Sequence, residues 1–151
     1  MGADLYIEKI YDENEAKYRP LFYEAVKKRD EANDGVEKDR SQKEVEKYYE
    51  KMNEVGYFRD SYNNSSLFWK LGLSWWGCKL ISKHGYISVA NAKKLKKIVE
   101  AAPAIVITDE QAKGWSNTRA EVQEYFDEKR TRFVEFLDTA INAKQKIRAS
   151  V

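Results

Sequence analysis

Arg59 and Asp60, followed by Tyr62, Asn63 and Asn64, are the residues best suited to chemistry or recognition, because a charged pair stands next to a hydroxyl and two amides. They open a segment, Tyr57 to Trp76 (YFRDSYNNSSLFWKLGLSWW), that also holds Trp69, Trp75 and Trp76, three of the four tryptophans of the chain. Buried amides and ion pairs require partners, and exposed ones have no packing role, so this polar subset points to a site. His84 is the only histidine, so any Ser-His-Asp or histidine-based metal chemistry would have to use it. Its setting, Ser82-Lys83-His84-Gly85-Tyr86, is that of a turn. The paired carboxylates, such as Asp127 and Glu128, stand in charge-rich helical stretches whose ordinary role is solvation. No P-loop, dinucleotide fingerprint, metalloprotease motif or calcium loop occurs, and the single Cys78 rules out an internal disulfide and a multi-cysteine zinc site. Cys78 itself is expected to be a small buried apolar residue. The expectation is a chain without catalytic residues, metal or cofactor, with an enzyme centred on His84, Arg59 and Asp60 ranked last.

Recognition is the stronger class, and two kinds of partner suit the residues. Trp, Tyr and Arg are the types over-represented in protein-interface hot spots, because they bury large areas at low rotamer cost and end in a polar group. A protein partner held by segment 57–76 is therefore the first expectation. Nucleic acid is the second. Between Ser61 and Val99 there is no Asp or Glu, while Lys70, Lys79, Lys83, Lys93, Lys94, Lys96 and Lys97 are present. Of the 27 basic residues these seven leave 20, against 25 acids, for the rest of the chain, so a net charge of +2 conceals a basic middle between acidic flanks. Bases could stack on Trp69, Trp75 or Trp76 while Lys93, Lys94 and Lys97 neutralise phosphates. The bland alternatives are that the basic middle packs against the acidic flanks, and that most of the rings, with Leu67, Phe68, Leu71 and Leu73, are core. The candidate binding residues are thus Arg59, Asp60, Tyr62, Asn63, Asn64, Trp69, Trp75, Trp76, Lys93, Lys94 and Lys97.

The elements that must position them can be read from periodicity. Asp4 to Tyr11 suits a strand, with Leu5 and Ile7 on one face. Helical spacing runs from Asn14 to about Ala32, with Pro20 placed near the start because an interior proline breaks the ladder. Ser41 and Glu44 form a capping-box signal for a helix bearing Val45, Tyr48, Tyr49, Met52 and Val55, stopped by Gly56. Ser88 caps a helix to about Ala102, and Pro103 follows it. Ala104 to Ile107 is an apolar run suited to a strand paired with the first, and Thr108 with Gln111 opens another turn. A long helix is expected from Asn117 to Arg148, its stripe of Val122, Phe126, Phe133, Phe136, Leu137, Ala140 and Ile141 interrupted at Lys129 and Arg130. The predicted fold is mainly α, of the α+β class: four or five helices packed as one globule with a minor two-stranded β element near the N-terminus.

At 151 residues, with 34% charged and 42% hydrophobic residues and only two prolines, the chain suits one soluble domain spanning residues 1–151. The opening MGADLYIEKIYDE carries Asp4 and Glu8 and no long apolar run, so a secretory signal is not expected, and no stretch reaches membrane-spanning length. A cytoplasmic protein without membrane contact is expected, its oligomeric state open.

The opening Met-Gly-x-Asp-Leu-Tyr (Met1 to Tyr6), the internal Phe-Arg-Asp-Ser-Tyr-Asn (Phe58 to Asn63) and the Leu- and Trp-rich stretch after it resemble small uncharacterised proteins of bacteriophages and bacteria. The resemblance covers about thirty residues and brings no activity with it. It implies a viral or mobile-element setting, in which small proteins bind and modulate host proteins, and it draws attention to a pairing of Asp4 with Arg59.

Overall fold

The computed structural model describes residues 2–63 and 65–151. In chain order the elements are β1 (Gly2–Ile7), α1 (Glu8–Glu31), α2 (Gly35–Met52), β2 (Tyr57–Ser61), α3 (Leu67–Lys70), β3 (Tyr86–Ile87), α4 (Val89–Ala101), α5 (Asp109–Ala112), α6 (Arg119–Asn142) and β4 (Ile147–Ser150). They form two units: residues 7–57, which hold α1 and α2, and residues 2–6 with 58–151, which hold the rest.

The 7–57 unit is a pair of helices with a thin apolar seam, for only Ala25 of α1 is buried, against Val45, Met52 and Ser41 of α2. Polar ties supplement the seam. Asn14 donates through Nδ2 to the carbonyls of Lys51 (2.7 Å) and Met52 (3.2 Å) at the end of α2, and Arg29 donates to Gln42. Helix α1 starts at Glu8, directly after the first strand, so Pro20 sits inside it and not near its start. Helix α2 likewise begins earlier than the Ser41 signal. Asp34 caps it by accepting from the Glu37 amide at 2.7 Å, and Ser41 is a buried interior residue. At Gly56 the backbone takes φ of +72°, and a Cβ there would stand 2.9 Å from the Tyr11 nitrogen, so the reversal into β2 needs glycine.

In the larger unit the expected two-stranded element is a four-stranded sheet in the order β2-β1-β4-β3, with β3 and β4 antiparallel and Ile87 opposite Ile147. The mainly helical fold with a small sheet is as expected, but the partners of β1 are not. Residues 104–107 make no ladder. They run extended, with Ile105 and Ile107 buried and Val106 exposed, and the side chain of Gln123 replaces a neighbouring strand. Its Nε2 donates to the Ile105 carbonyl (2.7 Å) and its Oε1 accepts from the Ile107 amide (2.8 Å). The partners of β1 are β2 on one side and β4 on the other, and β4 lies in the stretch expected to end the long helix; α6 stops at Asn142, and Lys144 turns the chain with φ of +55°.

The sheet lays one face on the helices. Ala3, Leu5, Phe58, Ile87, Ile147 and Ala149 point inward, together with Val99 and Leu95 of α4 and Val122, Phe126, Phe133, Leu137 and Ala140 of α6. Arg130, one of the two interruptions of the α6 stripe, reaches the end of α4 and donates to the carbonyls of Val99 (2.6 Å), Ala102 (2.7 Å) and Pro103 (3.0 Å), which α4 leaves without helical partners.

Candidate functional site

Strand β2 alternates, so that Phe58 and Asp60 face the core while Arg59 faces out. An acid at an inward strand position is costly unless it is paired, and the pairing comes from α6. Lys129 falls on the apolar stripe between Phe126 and Phe133, is itself buried, and places Nζ 2.7 Å from Asp60 Oδ1. The ammonium's other donors go to the Ser65 carbonyl and the Tyr125 hydroxyl, both at 3.1 Å. Asp60 Oδ1 also accepts the Leu67 amide (2.8 Å), and Oδ2 accepts the Phe68 amide (2.9 Å), the Ser66 hydroxyl (3.2 Å) and the indole N–H of Trp75 (2.8 Å). Every donor and acceptor of the pair is used. Burial alone would raise the Asp60 pKa, but the charge and hydrogen bond of Lys129 and the two backbone amides outweigh it and hold the carboxyl below its ordinary value. Gly2 of β1 runs so close behind that a Cβ there would strike the Asp60 carbonyl oxygen.

The pair fixes Ser66, the start of α3 and Trp75 above it. Ser66, whose hydroxyl is donated to Asp60, caps α3 by accepting the Trp69 amide at 3.1 Å. Trp75, tied by its indole to the same carboxylate, stacks on Phe68 with ring centroids 3.7 Å apart and meets Phe133 edge-on. The turn before α3 is built by Asn63, whose Oδ1 accepts from the Ser61 hydroxyl (2.6 Å) and the Ser65 amide (2.9 Å). Asn64 lies outside the described residues.

On this floor the tryptophans part company. Trp75 is 4% exposed, whereas Trp69 and Trp76 are 69% and 76% exposed. Trp76 carries Tyr62 against one face, with centroids 4.9 Å apart and planes at 23°. Partial burial, and then the charge of Asp4, push the Tyr62 hydroxyl pKa up. Arg59 and Asp4, the pair the sequence suggested, stand 3.8 Å apart at the surface, where such a contact is worth little.

The chain matches no family model, no curated protein and no solved structure.

The candidate residues therefore divide. Asp60 and Trp75 belong to the buried floor, Asn63 to the turn, and Tyr62, Trp69 and Trp76 to the surface above. Lys93, Lys94 and Lys97 are exposed on α4, while Lys96 is engaged by Asp138 (2.6 Å) and Glu100 (3.7 Å). His84 is exposed in the Ser82–Tyr86 turn, where the Tyr86 amide donates to the Ser82 hydroxyl. An acid–base centre joining it to Asp60 has no free carboxylate to draw on, because five donors already occupy both oxygens. Cys78 is half-buried. Among the described residues no group of three His, Cys, Asp or Glu side chains converges to hold a metal ion, and no helix is long and apolar enough to cross a membrane. A cleft of about 440 Å³ runs beside Ile107 along α6, between Gln123, Glu124, Asp127 and Glu128, and includes none of the candidate binding residues.

The sequence reading does not identify Lys129 and Ser66 as partners of Asp60, nor Tyr125 as an acceptor of the Lys129 ammonium. The signal for Lys129 was present. A single ammonium on an otherwise apolar helical stripe and a single carboxylate at an inward strand position each need an opposite charge, and each is the other's solution.

Proposed function

We propose that the protein is a cytoplasmic protein-binding module whose contact surface is the aromatic–polar segment 57–76, acting as a phage-associated modulator of a host factor. The observation that carries this reading is the exposure of Trp69 and Trp76 on a segment whose floor is pinned by Asp60 and Lys129. Large indoles left in water are unfavourable for the isolated chain, and covering each would contribute roughly 3–5 kcal/mol before the costs of association. The pinned floor lowers those costs, since Ser66, the start of α3 and Trp75 are already held by Asp60 before binding. The resemblance of Met1 to Tyr6 and Phe58 to Asn63 to bacteriophage and bacterial proteins supports the host setting.

Capture from nuclease-treated lysate tests the reading. Trp69→Ala with Trp76→Ala should abolish recovery of a discrete protein while the circular dichroism spectrum is kept; undiminished recovery would remove the segment from consideration.

A second reading, binding of nucleic acid or a nucleotide through the acid-free stretch 61–99, is favoured by the absence of acid from those residues and the exposure of Lys93, Lys94 and Lys97. Retention that disappears on nuclease treatment and falls steeply with salt would replace the first reading with this one.

A further inference from the structure

Three lysines extend the aromatic surface in one direction. The turn that follows Trp75 is closed by the Cys78 amide on the Trp75 carbonyl, and the exposed Lys79 comes directly after it in the chain. The carbonyl of the next residue, Leu80, accepts from the side-chain Nδ2 of Asn91 at 3.0 Å and so ties this loop to the first turn of α4. Lys94 and Lys97 follow Asn91 at three-residue spacing and turn progressively away from the buried Ala92, Leu95 and Val99 into solvent. A strip thus runs from the Tyr62–Trp76 stack through Lys79 to Lys94 and Lys97. Lys79, Lys94 and Lys97 are exposed and form no ion pair among the described residues, in contrast to Lys96 and to Lys70, which lies over the Phe126 ring. No acid of residues 61–99 dilutes their charge.

Resting on the reading of segment 57–76 as a protein-contact surface, we infer that the partner presents an acidic segment that sets an apolar side chain on Trp76 and lays carboxylates along Lys79, Lys94 and Lys97. The strip is on the order of 20 Å long, judged from helix rise and chain spacing, which an extended stretch of about six residues spans. Charge complementarity selects the acidic occupant. A polynucleotide fits less well. There is no arginine between residues 60 and 118, the net charge is only +2, and Tyr62 already covers one face of Trp76, leaving a single stacking surface there.

The test uses the full chain and three fluorescein-labelled probes: an octapeptide alternating glutamate with leucine, its glutamine counterpart, and oligothymidylate. Anisotropy should show binding of the acidic peptide that weakens with added salt. It should also weaken about threefold to tenfold in the combined K79Q, K94Q and K97Q variant, since exposed ion pairs contribute only modestly each. The glutamine peptide should bind more weakly, and Trp76→Ala should abolish binding of both peptides. Equal binding of the two peptides, no binding of the acidic one, or preferential binding of oligothymidylate would overturn the inference. If the lysine variant recovers the lysate partner undiminished while the tryptophan variants lose it, the contact surface stands and its acidic specificity fails. If the tryptophan variants also recover it undiminished, the underlying reading fails with it.

Discussion

Removing either member of the Asp60–Lys129 pair should destabilise the larger unit strongly, because both side chains are buried and each is the other's counter-charge. In Asp60→Ala the Lys129 ammonium stays buried with only two neutral acceptors, the Ser65 carbonyl and the Tyr125 hydroxyl, while the amides of Leu67 and Phe68 and the indole of Trp75 lose their acceptor. Breaking a buried pair costs about 3–5 kcal/mol, and orphaned donors add to that, so a loss of at least about 4 kcal/mol is expected. For a chain of this length that corresponds to a fall in Tm of roughly 8–16 °C. Lys129→Met leaves the carboxylate its four neutral donors and should cost less, about 2–4 kcal/mol. The double variant should cost less than the sum of the singles by about 2 kcal/mol, because the second change removes a charge already stranded by the first. Urea unfolding followed by tryptophan fluorescence reads all three. A loss below about 1 kcal/mol in Asp60→Ala, or simple additivity, would refute the assignment of the pair as the pin of segment 57–76.

Four further outcomes follow from the same structure. Because the folded Asp60 pKa is depressed, its contribution is fully present above the unfolded value of about 3.9 and is lost as pH falls through the folded value; the stability gap between the native chain and Asp60→Ala should be constant from about pH 5 to 8 and narrow toward pH 3, and an unchanged gap there would contradict the shift. Trp75→Ala should cost about 3–5 kcal/mol, whereas Trp69→Ala and Trp76→Ala should each cost less than about 0.5, and comparable losses in thermal melts would place the rings wrongly. Arg130→Ala strips three carbonyls at the end of α4 of their donor and should cost about 2 kcal/mol, read as faster hydrogen exchange in the last turn of α4; unchanged exchange would deny the cap. Gln123→Glu should destabilise more than Gln123→Ala, since it sets a carboxylate against the Ile105 carbonyl and beside Asp127, and equal melting temperatures would refute the strand-surrogate role.

Helices α2, α4 and α6 were legible because their apolar residues recur at helical spacing and Ser88 marks the start of α4 by local chemistry, whereas α2 ends at Met52, capped by Asn53, and Gly56 serves the reversal into β2 instead of the helix stop. What escaped depended on distant partners. Nothing near Ala104 to Ile107 says that a glutamine sixteen to eighteen residues away will take the place of a strand. The IRAS of β4 alternates apolar and polar residues, but over only four positions after the polar Lys144-Gln145-Lys146, too short a run to separate it from the helix before it until pairing with β1 and β3 defines it. Pro20 was placed by the rule against interior prolines, which tertiary context overrides in α1. At the site, the residue types located the right segment but could not separate Trp75 from Trp76. Adjacent residues point apart, and which of the two turns inward is decided by the Asp60 carboxylate that receives the Trp75 indole.

The decisive measurement is capture of a partner from nuclease-treated lysate by the native chain and by the Trp69→Ala, Trp76→Ala double variant, with circular dichroism and melting temperature recorded for both. A module that binds through segment 57–76 gives a discrete protein with the native chain and none with a variant that melts at nearly the native temperature. Equal recovery by the two, with the fold of the variant intact, would show that the exposed tryptophans are not the contact surface.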